Sequence, residues 1–159
     1  MNIYLIRHGD AEKIVLGKKD FDRELTPAGK VKLRNAAEHW KNLIPSLDYI
    51  ITSPLVRAYQ TAQTIGEVFG YSKEIITDKK LSPGGKTDAI IEIANSLDGE
   101  DIAFVGHQPD FGEHLSELVS REEIMVEFKK GALAKISFNN KARPAKGLLE
   151  FLIPPGIFK

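Results

Sequence analysis

Two histidines stand at corresponding places in this chain. Arg7-His8-Gly9 follows one short apolar run, and Gly106-His107 follows another. If both runs are parallel strands of one sheet, both histidines lie beyond strand carboxyl ends, where open α/β sheets bind ligands. Either histidine alone fits a hydrogen-bonded residue at the edge of a core. The two together, one preceded by arginine and both adjoining glycine, point to a shared cleft. Arg57 is the third unusual residue. Ser53-Pro54 is a helix start signal, which puts Arg57 in the first helical turn. A cation there opposes the helix dipole. A bound anion would resolve the conflict, because it takes both the free backbone N–H groups and the guanidinium. A solvated arginine pointing away satisfies the same pattern.

The elements that must position these residues are readable in outline. Residues 3–6, 48–52 and 102–105 are apolar runs without a period of two, as buried parallel strands are. Thr26-Pro27 caps a helix carrying Leu33, Ala37, Trp40 and Ile44, which Pro45 ends. A second helix carries Leu55, Ala58, Ala62, Ile65 and Phe69 and stops at Gly70. Ile90, Ile93, Ala94 and Leu97 mark a third, and a fourth begins near Asp110 and buries Phe111, Leu115 and Leu118. Residues 132–138 and 148–153 read as a hairpin-like pair of strands added to the sheet. Residues 9–25 show no period; a connection that long in a compact domain is usually functional or disordered. Alternating strands and helices give an α/β class over a single domain, residues 1–159.

Bulk properties exclude several classes. Lys+Arg and Asp+Glu both number 22, so nothing global favours nucleic acid or an acidic membrane, and anion binding must come from local clusters. The absence of cysteine removes thiol chemistry and fits a reducing cytoplasm. No stretch approaches the ~20 apolar residues of a membrane helix, and the start of the chain lacks the basic region of a signal peptide. The expectation is a cytoplasmic monomer. The histidines lack metal-ligand spacing and no Walker-type glycine loop is present, so neither a metal nor a cofactor is expected. His39 and His114 fall on helices and read as surface residues.

With Arg7-His8-Gly9 after the first strand, residues 53–58 and Gln60-Thr61-Ala62 on the second helix, and Val105-Gly106-His107 after the late strand, the chain resembles the histidine phosphatase superfamily, also called phosphoglycerate-mutase-like. Arg7-His8-Gly9-Asp10-Ala11, Arg23-Glu24-Leu25-Thr26 and the small size resemble the SixA-type phosphohistidine phosphatases within it. The resemblance covers the chain to about Gly112. It implies a three-layer α/β/α fold with a mostly parallel central sheet and an antiparallel C-terminal addition. It also implies roles: His8 as nucleophile, Arg7 and Arg57 on phosphoryl oxygens, and His107 as a further donor, best when protonated. Arg23, Gly9 and Ser53 would contact substrate. Many relatives acting on oxygen esters carry an acid between the second and third helices; here the matching stretch, residues 78–85, holds no glutamate, only Asp78. The implied substrate is therefore phosphohistidine on a protein. A small phosphoester or phosphoanhydride is the alternative substrate, and a non-catalytic module binding phosphorylated proteins is the alternative class. Lys13, Lys18 and Lys19 read as solvated, and Asp10 and Glu12 as candidates to orient Arg7 or Arg23.

Overall fold

The computed structural model describes residues 1–158. Four parallel strands form the heart of the sheet: β1 (Asn2–Arg7), β2 (Tyr49–Thr52), β3 (Ile76–Thr77) and β4 (Asp101–Gly106). β5 (Leu133–Ser137) joins β1 antiparallel, and β6 (Leu148–Ile153) joins β5 antiparallel with a bulge between Lys135 and Ile136. The spatial order is β3-β2-β4-β1-β5-β6. The C-terminal pair is the antiparallel addition anticipated from the sequence. The two-residue β3 was not anticipated, because two residues carry no periodicity.

The middles of β1 and β4, residues 3–6 and 102–105, are buried because both faces are covered. Tyr4, Ile6, Ala103 and Val105 meet Leu33, Ala37, Trp40, Ala58, Ala62 and Ile65. Those residues belong to α1 (Pro27–Trp40) and α2 (Val56–Phe69). On the other face, Ile3, Leu5, Ile102 and Phe104 meet Ile90, Ala94, Phe111, Leu115 and Leu118. These lie on α3 (Thr87–Ser96) and α4 (Asp110–Val119). Alternate residues of one strand thus feed opposite cores, giving the three-layer α/β/α arrangement.

Helix ends follow local rules with two departures. Thr26 accepts a hydrogen bond from Gly29 N–H, and Gly70 closes α2 in the left-handed conformation at φ 63°. α1, however, ends at Trp40, not at Pro45. Residues 41–44 continue as turns, Lys41 and Asn42 N–H on His39 O and Leu43 and Ile44 N–H on Trp40 O, and Ile44 stays buried. α2 begins at Val56, two residues beyond the start expected from Ser53-Pro54, with Ser53 Oγ accepting from Leu55 N–H. Arg57 remains in the first turn.

Register brings the two histidine segments together. β1 and β4 are adjacent, and Arg7 lies opposite Gly106, so His8 and His107 leave the sheet side by side. Gly106 must be glycine: a Cβ there would lie 2.5 Å from the Phe111 ring of α4. This close approach lets α4 start immediately behind His107.

Candidate active site

His8 and His107 face each other with ring centroids 5.3 Å apart, and both are buried, at 7% and 3% exposure. His8 Nδ1 lies 2.8 Å from its neighbour's carbonyl, Gly9 O. A carbonyl only accepts, so Nδ1 carries the proton and Nε2 keeps its lone pair. That lone pair meets Arg57 Nε at 3.3 Å. Arg57 is buried, at 4% exposure, and points inward from the first turn of α2. The solvated alternative for Arg57 is thereby removed. Two of its remaining donors go to Asp20: Nη1 to the main-chain O at 2.8 Å and Nη2 to Oδ2 at 3.1 Å.

His107 Nε2 lies 2.7 Å from Ser53 Oγ, which also accepts from Leu55 N–H. Ser53 is fully buried and its O–H has no other acceptor among the described residues, so it donates to Nε2 and the His107 proton sits on Nδ1. Nδ1 is buried without a partner. A buried orphan donor is costly, and an anion in the cleft would satisfy it. Arg7 is similar: Nη1 donates to Phe128 O at 2.8 Å, while Nε is buried without a partner. A surface depression lined by Arg7, Asp10, Lys32, Phe128, Lys129 and Pro155 adjoins this side.

The segment 9–25 is organised by contacts distant in sequence. Gly9 N–H donates to Thr61 Oγ1, and Leu25 N–H donates to Gln60 Oε1, so α2 holds both ends. Ala11 bridges Leu25, and a short 3₁₀ turn, Asp20–Asp22, presents Asp20 to the arginines. Arg23 Nε donates to Asp20 Oδ1 at 2.9 Å and Nη1 to Glu12 O. The cleft thus gathers a neutral imidazole lone pair, three guanidiniums and a second imidazole. This set can bind a tetrahedral anion and attack it.

The model of the histidine phosphatase superfamily (branch 1) matches residues 3–127. The chain belongs to this superfamily. An uncharacterized protein of Picosynechococcus is 32% identical over 117 residues, covering 71% of this chain and 70% of that one. A phosphohistidine phosphatase SixA homolog of Haemophilus influenzae is 29% identical over 146 residues, covering 86% and 87%. Among solved structures, protein histidine phosphatase SixA complexed with tungstate superposes with a TM-score of 0.85 over all of both chains, at 23% identity.

In this histidine phosphatase the expected residues His8, Arg7, Arg57, His107, Arg23, Gly9 and Ser53 all collect at one cleft. Several have partners the sequence did not reveal. Gly9 N–H is committed to Thr61, and the Ser53 hydroxyl to His107. Asp20, Gln60, Thr61 and the Phe128 carbonyl shape the site without having been singled out for these contacts. Of the two acids thought to orient arginines, Glu12 does so through its carbonyl, while its carboxylate pairs with Lys18; Asp10 pairs with Lys130. Asp78 Oδ1 accepts from Lys80 N–H and so caps the turn 79–81. His114 is not a surface residue: it is buried against Phe111 and bonded to Thr87, because α3 packs across it. His39 is half-buried and stacks on Phe158. Among the described residues, no three His, Asp or Glu side chains form a metal-ion cluster, and no helix is long and apolar enough to cross a membrane.

Protonation departs from expectation at His107. Burial, then the neighbouring His8 and Arg57, push its pKa down to about 3, so it is a neutral donor in the free protein. Burial and the charges of Arg57, Arg7 and Arg23 likewise lower His8 to about 4, against the pull of the Gly9 carbonyl. The lone pair of His8 is therefore present well below pH 6. The acid limb of kcat/KM on a substrate that does not itself titrate should fall near pH 4, not at the 6.5 of an ordinary histidine. Stability runs the same way. Below the unfolded value of about 6.5, the unfolded chain binds protons that the folded chain refuses. Stability is thus full above pH 6.5 and declines as pH falls towards 4. Urea midpoints at pH 7.5, 6 and 5 test this; a flat series would show that the histidines titrate normally.

Proposed function

We propose that this hydrolase removes phosphate from phosphohistidine on a protein, in the cytoplasm and as a monomer of one domain, through a transient phosphohistidine on His8. The observation that carries the reading is the fixed tautomer of His8: Nδ1–H on Gly9 O and the Nε2 lone pair directed at Arg57. A module that only binds phosphate needs the arginines but not this orientation. The SixA-type relatives and the shared fold support the substrate class.

The incoming phosphoryl group takes over the donors of Arg57 now spent on Asp20. It also gains the orphan Arg7 Nε and His107 Nδ1–H, while Arg23 guards the solvent side. These donors neutralise the equatorial oxygens, which is most of what phosphoryl transfer needs from a protein. His8 Nε2 attacks phosphorus in line, and the bond to the leaving group breaks. Water then attacks the phosphorylated His8, releasing phosphate and restoring the lone pair. Arg57, Arg7 and Arg23 are cations and His107 is neutral, so the positive charge at the phosphoryl oxygens comes from the guanidiniums.

The leaving group selects the substrate. An alkoxide needs a positioned acid, which typically contributes ~10²–10⁴-fold. Asp78 Oδ1 is engaged in a cap, and residues 79–86 leading into α3 hold no acid. Imidazole leaves without one. The test is kcat/KM on matched peptides bearing phosphohistidine, phosphoserine or phosphothreonine, and on an aryl phosphate, all in EDTA buffer. Phosphohistidine should be cleaved best, the aryl phosphate next, and the alkyl esters far more slowly. Equal rates on phosphoserine and phosphohistidine would overturn the assignment.

A further inference from the structure

Asp20 is a carboxylate placed directly on the arginines of the cleft. Oδ2 accepts from Arg57 Nη2 at 3.1 Å and Oδ1 from Arg23 Nε at 2.9 Å. The third side of the Arg57 guanidinium rests on the His8 lone pair. A single planar group therefore spans from the histidine lone pair to this carboxylate. The Asp20 side chain is half exposed, so solvent reaches the carboxylate that sits on these arginines.

A phosphoryl group bound between His8 and Arg57 would claim Arg57 Nη2 and release Oδ2, while Oδ1 keeps Arg23. A free carboxylate oxygen then faces a phosphoryl dianion. Two anions at that spacing repel unless a proton lies between them. The leaving group decides whether there is one. A protonated phosphoimidazole carries N–H on its second ring nitrogen; an alkyl or aryl phosphate offers no such proton.

We infer that Asp20 is a specificity-determining residue, whose carboxylate accepts a hydrogen bond from the unphosphorylated ring nitrogen of phosphohistidine and thereby selects imidazole leaving groups. This rests on the phosphohistidine reading above. Solvent supplies the proton to the ring, and Asp20 stabilises the resulting cation. The His8 Nε2 lone pair forms the new P–N bond, and the electron pair of the old one returns to the leaving ring. Neutral imidazole departs with its N–H still on Asp20. Water then attacks phosphorus, both of its protons leave with the phosphate, and His8 regains its lone pair. Asp20 donates nothing, so the ionised form is the working form. Partial burial pushes its carboxyl up, but the charges of Arg57 and Arg23 outweigh that and hold it below the usual carboxylate range.

The test compares wild type, Asp20→Asn and Asp20→Glu on a phosphohistidine peptide and on p-nitrophenyl phosphate, with inorganic phosphate as inhibitor. Asp20→Asn should lower kcat/KM on phosphohistidine roughly tenfold more than on the aryl ester, the scale of one charged hydrogen bond. Asp20→Glu should recover part of the difference. Inhibition by phosphate should be at least as strong in Asp20→Asn as in wild type, which shows the arginines still in place. Parallel losses on both substrates would make Asp20 a scaffold for the loop, and parallel gains would make it a plug; either overturns the inference. Wild type that fails on phosphohistidine removes the substrate assignment itself. Wild type that succeeds, with an unchanged ratio in Asp20→Asn, removes only the role of Asp20.

Discussion

His8→Ala should abolish turnover, with a loss on the order of 10⁴-fold or more, as expected when a nucleophile is removed from a preorganised site. The arginines and His107 would still bind phosphate, but no group would remain to attack it. The fold should survive. His8 lies past the end of β1, and its polar contacts are one bond to Gly9 O and one from Arg57. A stability cost of about 1–3 kcal/mol is expected for so buried a side chain. Circular dichroism and a urea titration separate this cost from the chemistry. The direct check is brief incubation of wild type with ³²P-labelled substrate. Acid-labile, alkali-stable label should appear in wild type and be absent from His8→Ala. Activity near wild type in His8→Ala would end the mechanism.

Arg57→Ala should have the second largest effect. One preorganised donor to a developing anion contributes ~3 kcal/mol, or roughly 10²-fold in rate. Arg57 has three such directions, serving His8 Nε2, Asp20 O and Asp20 Oδ2. Its loss also leaves Asp20 Oδ2 without a partner and removes both bonds between Asp20 and α2. The fall in kcat/KM should accordingly exceed the single-donor figure and exceed that of Arg7→Ala. Arg7 has Nε buried without a partner, while one Nη1 N–H is committed to Phe128 O. Arg57→Lys should rescue only a small part, since an ammonium cannot span those positions in one plane. Steady-state kinetics on the three variants, with inorganic phosphate as a competing ligand, decide the matter. Wild-type kinetics in Arg57→Lys would show that charge alone suffices.

The protonation of the site links these two predictions. His8 and His107 are neutral because they are buried beside cations, and a phosphoryl dianion reverses part of that field on arrival. The expected role of His107 as a protonated donor is thus replaced in the free protein by a neutral Nδ1–H, oriented by Ser53. Ser53 is hydrogen-bonded to that ring, a contact that the family resemblance, which implied a place against the substrate, did not include.

The sequence by itself determined what is local. Apolar runs without alternation marked buried strands, Thr26-Pro27 and Gly70 marked helix ends, and two histidines at strand ends marked the cleft. Each depends on residues within a few positions of one another, or on a period set by backbone geometry. Arg57 was legible for the same reason, since a cation in a first helical turn conflicts with a dipole that any helix carries. Only the tertiary structure decided the rest. The adjacency of β1 and β4, which brings His8 against His107, arises from pairing across about a hundred residues. Asp20 reaches Arg57 because α2 grips both ends of an aperiodic segment through Gln60 and Thr61. His114 is buried because α3 lies over it, which its place on an amphipathic helix did not reveal. The low pKa values of His8 and His107 come from desolvation and from charges on β1, α2 and the segment 9–25. A sequence lists those charges, but their distances exist only once the chain has folded.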